Sequence, residues 1–195
     1  AAHCTCGGLW KLEADLPAFD LSGVDNWNPI GAEAKSDTCL DKLFAGTFDG
    51  RGHTVSGLKI RVADAASETN VGLFSTLGNT AVVKNLNLTD AVITLTGVAD
   101  AIQCRAGILV GDTVNAASKD SGGRSHDSIG VRIDSCSATG SVNVTGQNGM
   151  VWAAGLVGRA AMIQGRVKGN GHGSFLHIIK NHRHRRIRRG LLGCD

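Results

Sequence analysis

At 195 residues the chain is long enough for one domain with its own core, and 42% of its residues are hydrophobic. Its 27 Gly, 2 Pro and short β-branched runs exclude an architecture of long helices and point to strands joined by tight turns. The net charge of +3 is an average: five arginines crowd between Arg183 and Arg189, so the remaining body is near neutral and offers no electrostatic case for specific nucleic-acid binding.

Residues 1–45 read as an N-terminal capping segment. It holds His3-Cys4-Thr5-Cys6, a stretch Lys11–Ala18 with helix or strand character, and the turn Trp27-Asn28-Pro29-Ile30-Gly31. Trp10, Trp27 and Phe44 are expected to cover the end of a repetitive core, because a terminal repeat must shield a face that internal repeats bury.

From Gly46 the pattern becomes repetitive. GTFDGRGHTVSGLKI carries a glycine-rich turn and an alternating run, and VGLFSTLG closes the unit at Gly78. Alternation along SGLKI, KNLNL and DSCSA puts Leu58, Leu86 and Cys136 on one position, and extending the second and third copies matches Val92 with Val142. A second series interleaves: VGLFSTLG from Val71, AGILVGDT from Ala106 and AGLVGRAA from Ala154. Gly72 precedes Gly107 by 35 residues and Gly107 precedes Gly155 by 48; the surplus falls in the polar run Asn115–Ser128, read as an insertion loop. The domain reading is therefore 1–45 cap, 46–161 repeats, and 162–195 an atypical His/Arg-rich segment with little integration into the β body. Each unit has a one-sided apolar strand that cannot bury itself alone, so the residues imply stacked β repeats with few or no long helices.

The F-x-G-T-F-D-G-x-G-H-T-V stretch around Asp49, followed by VGLFSTLG, AGILVG and AGLVG, resembles the GLUG-type repeats of bacterial surface and secreted proteins. These occur in filamentous-haemagglutinin-like adhesins and in non-catalytic regions of immunoglobulin-A-type metallopeptidases. The resemblance covers roughly Trp27 to Ala161. It implies an all-β fold of the right-handed parallel β-helix (β-solenoid) kind.

Candidate chemistry is sparse. No HExxH and no G-x-S-x-G is present. Asp49, Arg51 and His53 form either a small acid/base cluster or a turn, and Asp-Gly-Arg-Gly is turn chemistry. His3-Cys4-Thr5-Cys6, with Cys194 or His172, lacks the C-x₂-C spacing of a zinc site. The even set Cys4, Cys6, Cys39, Cys104, Cys136 and Cys194 fits disulfides in an oxidising compartment, or small buried hydrophobes. Asn87-Leu88-Thr89 and Asn143-Val144-Thr145 are sequons. Arg183, Arg185, Arg186, Arg188 and Arg189 form a block for an anionic surface or a solvated tail.

The reading is a non-enzymatic module of a secreted or cell-surface protein with no cofactor and no metal, acting as an adhesin-type scaffold, spacer or unit of an extracellular assembly. Its expected partners are surface glycans, other proteins, or further copies through its ends. The alternative is a carbohydrate-active β-helix enzyme of the polysaccharide lyase or hydrolase kind, which would need acidic and basic groups converging on one groove. An ice-binding array is disfavoured, since only Thr94 and Thr96 show Thr-x-Thr spacing. The chain shows no signal peptide and no apolar run long enough for a membrane span.

Overall fold

The computed structural model describes residues 9–11, 19–31, 43–65, 67–78, 80–99, 102–113, 131–146, 150–160 and 174–177. Among these residues the chain is all-β: sixteen strands and no helix. Every strand pairing is parallel.

Four sheets result. Sheet 1 contains β1 (Leu9–Lys11), β3 (Thr47–Asp49), β8 (Val82–Lys84) and β12 (Arg132–Asp134), in that order. Sheet 2 runs β16 (Ser174–His177), β13 (Ser137–Gly146), β9 (Asn87–Val98), β4 (Thr54–Ser56), β2 (Phe19–Asp20), with β5 (Lys59–Val62) also on β9. Sheet 3 is β14 (Met150–Ala154), β10 (Gln103–Gly107), β6 (Thr69–Val71). Sheet 4 is β15 (Val157–Ala160), β11 (Val110–Thr113), β7 (Phe74–Leu77). The chain therefore visits sheets 1, 2, 3 and 4 in the same order from β3 to β7, from β8 to β11 and from β12 to β15. Parallel neighbours need a long connection between them. Here that connection is made of strands from the other three sheets.

The register stacks like residues into the core. Ile60, Ile93 and Val142 share one position, as do Phe48, Val83 and Ile133. Leu88, Ile93, Leu95, Val83 and Ile133 are buried. Each such aliphatic side chain contributes roughly 1.5–3 kcal/mol by leaving water. Phe74 anchors the start of the stack, with Phe44 at 5.0 Å and Phe48 edge-on at 5.4 Å.

Residues 19–31 already follow the stacked pattern. Leu21 N–H donates to Ser56, Trp27 N–H to Lys59 and Ile30 N–H to Leu73. Trp27 packs against the core, and its indole Nε1 donates to the Leu73 carbonyl at 3.2 Å. Trp27 and Phe44 thus pack on the first full turn. For Trp10 the structure gives the backbone pairing with Phe48.

Two alignments need correction. Cys136 does follow Leu86, since Asp134 pairs with Lys84 and Ser137 with Asn87. Leu58 does not: Lys59 pairs with Val92, so Leu58 falls level with Ala91. Arg51 and Gly52 lengthen the first turn and shift everything after it. Likewise Val142 pairs with Ile93, not Val92. A register shift between Ala138 and Gly140 accounts for this, with positive φ at Asp90 and Gly140. A one-residue slip moves a side chain to the opposite face, which is why Val92 is 39% exposed and Ile93 is 0%. In the second series Ala106 pairs with Val71, so Gly107 falls level with Gly72 as aligned, but in the next turn Gly107 pairs with Ala154 and Val110 with Val157, so there Gly111, rather than Gly107, has a glycine partner, Gly158.

At the far end, Ser174–His177 adds to sheet 2 beside β13, so this part of the 162–195 segment belongs to the β body. The rest of that segment, and the insertion loop expected at 115–128, lie outside the described residues.

Candidate functional site

The corner from sheet 1 to sheet 2 repeats a left-handed residue in each turn: Arg51 (φ 54°), Asn85 (φ 54°) and Ser135 (φ 51°). The corners hydrogen-bond to each other, from Gly50 N–H to Lys84, Gly52 N–H to Asn85, and Asn85 N–H to Asp134. Gly50 has no room for a side chain, because a Cβ there would lie 2.5 Å from the Asn85 carbonyl oxygen. Between the corners lies an open depression of about 410 Å³, lined by Asp49, Arg51, Gly52, Asn85, Asn87 and Ser135.

The polar atoms in this depression hold the corners together. Asp49 Oδ1 accepts from Arg51 N–H at 2.9 Å and from Asn85 Nδ2 at 3.0 Å, and Lys84 Nζ lies 3.4 Å from Oδ2. The Asn85 amide, then the Arg51 N–H, hold the Asp49 carboxyl below its ordinary value of 3.8. Asn87 Nδ2 donates to the Gly52 carbonyl at 3.3 Å, and its Oδ1 accepts from Ser137 Oγ at 2.8 Å. His53 donates its backbone N–H to Gly50. Among the lining residues Asp49 is the single carboxylate, whereas hydrolysis of a glycosidic bond ordinarily uses two. Asp49, Arg51 and His53 are brought together as a turn. Asn87 and Asn143, the two sequon residues, sit half-buried on β9 and β13.

A second polar constellation went unread in the sequence. On sheet 3, Asn70, Arg105 and Trp152 share one register position; on sheet 4, Thr76, Asp112 and Arg159 do. The two columns face each other. Arg159 grips Asp112 through Nε–Oδ1 at 2.8 Å and Nη2–Oδ2 at 2.7 Å. Arg105 Nε lies 3.5 Å from Asp112 Oδ2, its Nη1 donates to Asn70 Oδ1 at 3.2 Å, and its Nη2 donates to Gln103 Oε1. The Trp152 ring lies 5.3 Å from the Arg105 guanidinium carbon, a cation–π distance. Asn70 Nδ2 closes the group on Thr76 Oγ1 at 3.1 Å. Asp112 and Arg105 are 2% and 5% exposed. Nothing in the spacing of Arg105 and Asp112 says that a corner folds one onto the other.

Glycines permit this approach. A Cβ on Gly111 would lie 2.6 Å from Val71 N, and one on Gly158 would lie 2.6 Å from the Gly111 carbonyl oxygen.

Of the six cysteines, Cys104 and Cys136 are buried thiols rather than a disulfide pair. Cys136 takes a core position after Leu86, with Sγ 3.3 Å from the Asp134 carbonyl oxygen, and burial pushes its thiol up to about 11. Cys4, Cys6, Cys39 and Cys194 lie outside the described residues, as do Arg183, Arg185, Arg186, Arg188 and Arg189. Among the described residues no three His, Cys, Asp or Glu side chains converge as a metal site would require, and no helix is long and apolar enough to cross a membrane.

The geometry defines an all-β protein of parallel sheets with polar corner ladders. No family model matches the chain, and no solved structure matches it. Among characterised sequences it is similar to Halomucin of Haloquadratum walsbyi, 34% identical over 96 residues. That stretch is 48% of this chain and 1% of Halomucin. It is also similar to a protein of Evansella cellulosilytica described as a Gly-rich membrane protein, 33% identical over 85 residues, which cover 44% of this chain and 9% of that protein. The chain thus spans a small fraction of both relatives.

Proposed function

We propose that the chain is a non-enzymatic β-solenoid module of a secreted or cell-surface protein, wound as a right-handed parallel β-helix. The repeated order of sheets 1, 2, 3 and 4 supports the winding, and parallel crossovers are right-handed in about 98% of cases. The GLUG-like stretches support the same reading. Placement at a cell surface is supported by the similarity to a protein described as a membrane protein and to short parts of much longer chains.

The observation that carries the non-catalytic reading is the commitment of Asp49. Its carboxylate is hydrogen-bonded to Arg51 N–H and Asn85 and stands beside Lys84. A group spent on holding two turns together is poorly placed to exchange protons with a substrate. Repetitive sheet faces are suited to glycans or neighbouring proteins. The test is a glycan array probed with the full chain, alongside reducing-end release from the polysaccharides it binds. Binding without bond cleavage is expected. Cleavage abolished by Asp49→Asn would replace this reading with the carbohydrate-active enzyme.

A further inference from the structure

Sheet 3 turns one face to the core. Val71, Cys104 and Ala106 are buried there, and successive residues of a strand point to opposite faces. The other face is laid out in two rows. Glu68, one residue before Thr69, falls level with Gln103 and Met150, and Asn70, Arg105 and Trp152 form the next row. From the spacing of strands and of alternate residues along them, this face measures about 10 Å by 7 Å, which accommodates a pyranose ring.

The floor of the face is fixed. Arg105, 5% exposed, is held by Asn70 Oδ1 at 3.2 Å, by Gln103 Oε1 and by Asp112 Oδ2 at 3.5 Å. Gln103 spends its carbonyl oxygen on this contact, and its Nε2 remains a donor without a partner among the described residues. Glu68 Oε1 lies 3.9 Å from Arg105 Nη2, beyond hydrogen-bonding reach, and its side chain is 50% exposed. A free donor and a free acceptor therefore stand side by side on neighbouring strands. Next to them the half-buried Trp152 ring lies over the Arg105 guanidinium, and Met150 is 51% exposed. The charges balance, Glu68 and Asp112 against Arg105 and Arg159.

We propose that this face of sheet 3 binds a neutral pyranose unit of a glycan. Adjacent hydroxyls of a sugar ring offer a donor and an acceptor together: one hydroxyl donates to the Glu68 carboxylate and its neighbour accepts from Gln103 Nε2. The apolar C–H face of the same ring lies against the indole of Trp152. A few placed polar groups beside an aromatic surface are the usual make-up of a small-ligand site. Arg105 holds Gln103 in position before the ligand arrives, which lowers the ordering cost of binding. An anionic sugar gains little, because both arginines already face carboxylates. Four of the six residues on this face are polar, which suits a hydroxyl-rich ligand better than a second copy of the chain.

The inference names the site and ligand class for the glycan binding read above, and rests on that reading. The test is affinity electrophoresis of the full chain through gels holding neutral dextran, mannan or galactan, or anionic alginate. Retardation by at least one neutral polysaccharide is expected, with none by alginate. Glu68→Gln weakens it about tenfold, the loss of a hydrogen bond to a charged group, and leaves the urea midpoint unchanged. Trp152→Ala weakens it at least as much, and Trp152→Phe restores most of it. Because Glu68 is exposed, its variant decides the matter alone if Trp152→Ala unfolds the corner. Retardation that survives Glu68→Gln places the glycan elsewhere and overturns this inference while leaving glycan binding intact. Retardation by alginate alone overturns the neutral ligand in the same way. No retardation in any gel overturns the site and glycan binding together. Sedimentation showing self-association that Met150→Lys abolishes assigns the face to a second copy and overturns the proposal.

Discussion

Replacing Asp112 with alanine tests whether the facing columns of sheets 3 and 4 are held by charge. Asp112 is 2% exposed and accepts from both Nε and Nη2 of Arg159. It also stands 3.5 Å from Nε of Arg105, itself 5% exposed. Asp112→Ala leaves Arg105 as a buried cation supported by Asn70 and Gln103. Removing one partner of a buried pair costs about 3–5 kcal/mol. For a domain of this size that lowers the midpoint by roughly 6–20 °C. Arg159→Ala removes a cation whose side chain is 38% exposed, so water screens the pair from that side and the loss is about 1 kcal/mol. The assay is urea unfolding of the two variants beside the parent, with hydrogen exchange to place the loss. Exchange should accelerate first in β10, β11, β14 and β15, since stacked repeats couple mainly to their neighbours. An Asp112→Ala cost below about 1 kcal/mol, or an Arg159→Ala cost equal to it, refutes the reasoning.

Three other outcomes are expected. Gly111→Ala should destabilise strongly, because its Cβ meets Val71 N at 2.6 Å and the Ser75 carbonyl oxygen at 2.8 Å. Gly23→Ala, with nothing within 4 Å, should keep the parent's denaturation midpoint, and a midpoint for Gly111→Ala equal to that of Gly23→Ala would contradict this. Cys136, its thiol pushed up to about 11 by burial, should resist iodoacetamide at pH 8 in the native protein and react once unfolded, as peptide mass mapping will show. The carboxyls of Asp49 and Asp20 sit below their ordinary 3.8, Asp49 through the Asn85 amide first and Asp20 through the Ser22 N–H first. A lowered native value means the unfolded chain binds the proton more readily. Their stabilisation is therefore complete above 3.8 and is lost as pH falls through the lowered native values. Asp49→Asn should flatten the acid limb of a stability-against-pH curve, and an unchanged slope below pH 4 would count against it.

Much of the fold was legible in the chain. The glycine content, the alternating apolar runs and the recurrence of GL-type corners required β repeats, because a one-sided strand must find a like strand to cover it. The turn chemistry of Asp49-Gly50-Arg51-Gly52 was also legible, since a carboxylate that caps a left-handed turn acts within two residues of its own position.

The tertiary structure alone decided register and charge pairing. The extra residues Arg51 and Gly52 put Leu58 level with Ala91 rather than Leu86, and the shift between Ala138 and Gly140 determines that Ile93, not Val92, meets Val142. No local propensity encodes such offsets, because they arise from how much chain each corner consumes. The same is true of Arg105 and Asp112, seven residues apart, and of Arg159, 47 residues beyond Asp112. Sequence determines which side chains can bury apolar area or carry charge. Which of them meet depends on the summed lengths of the corners between them, a quantity defined only when successive turns lie one upon another.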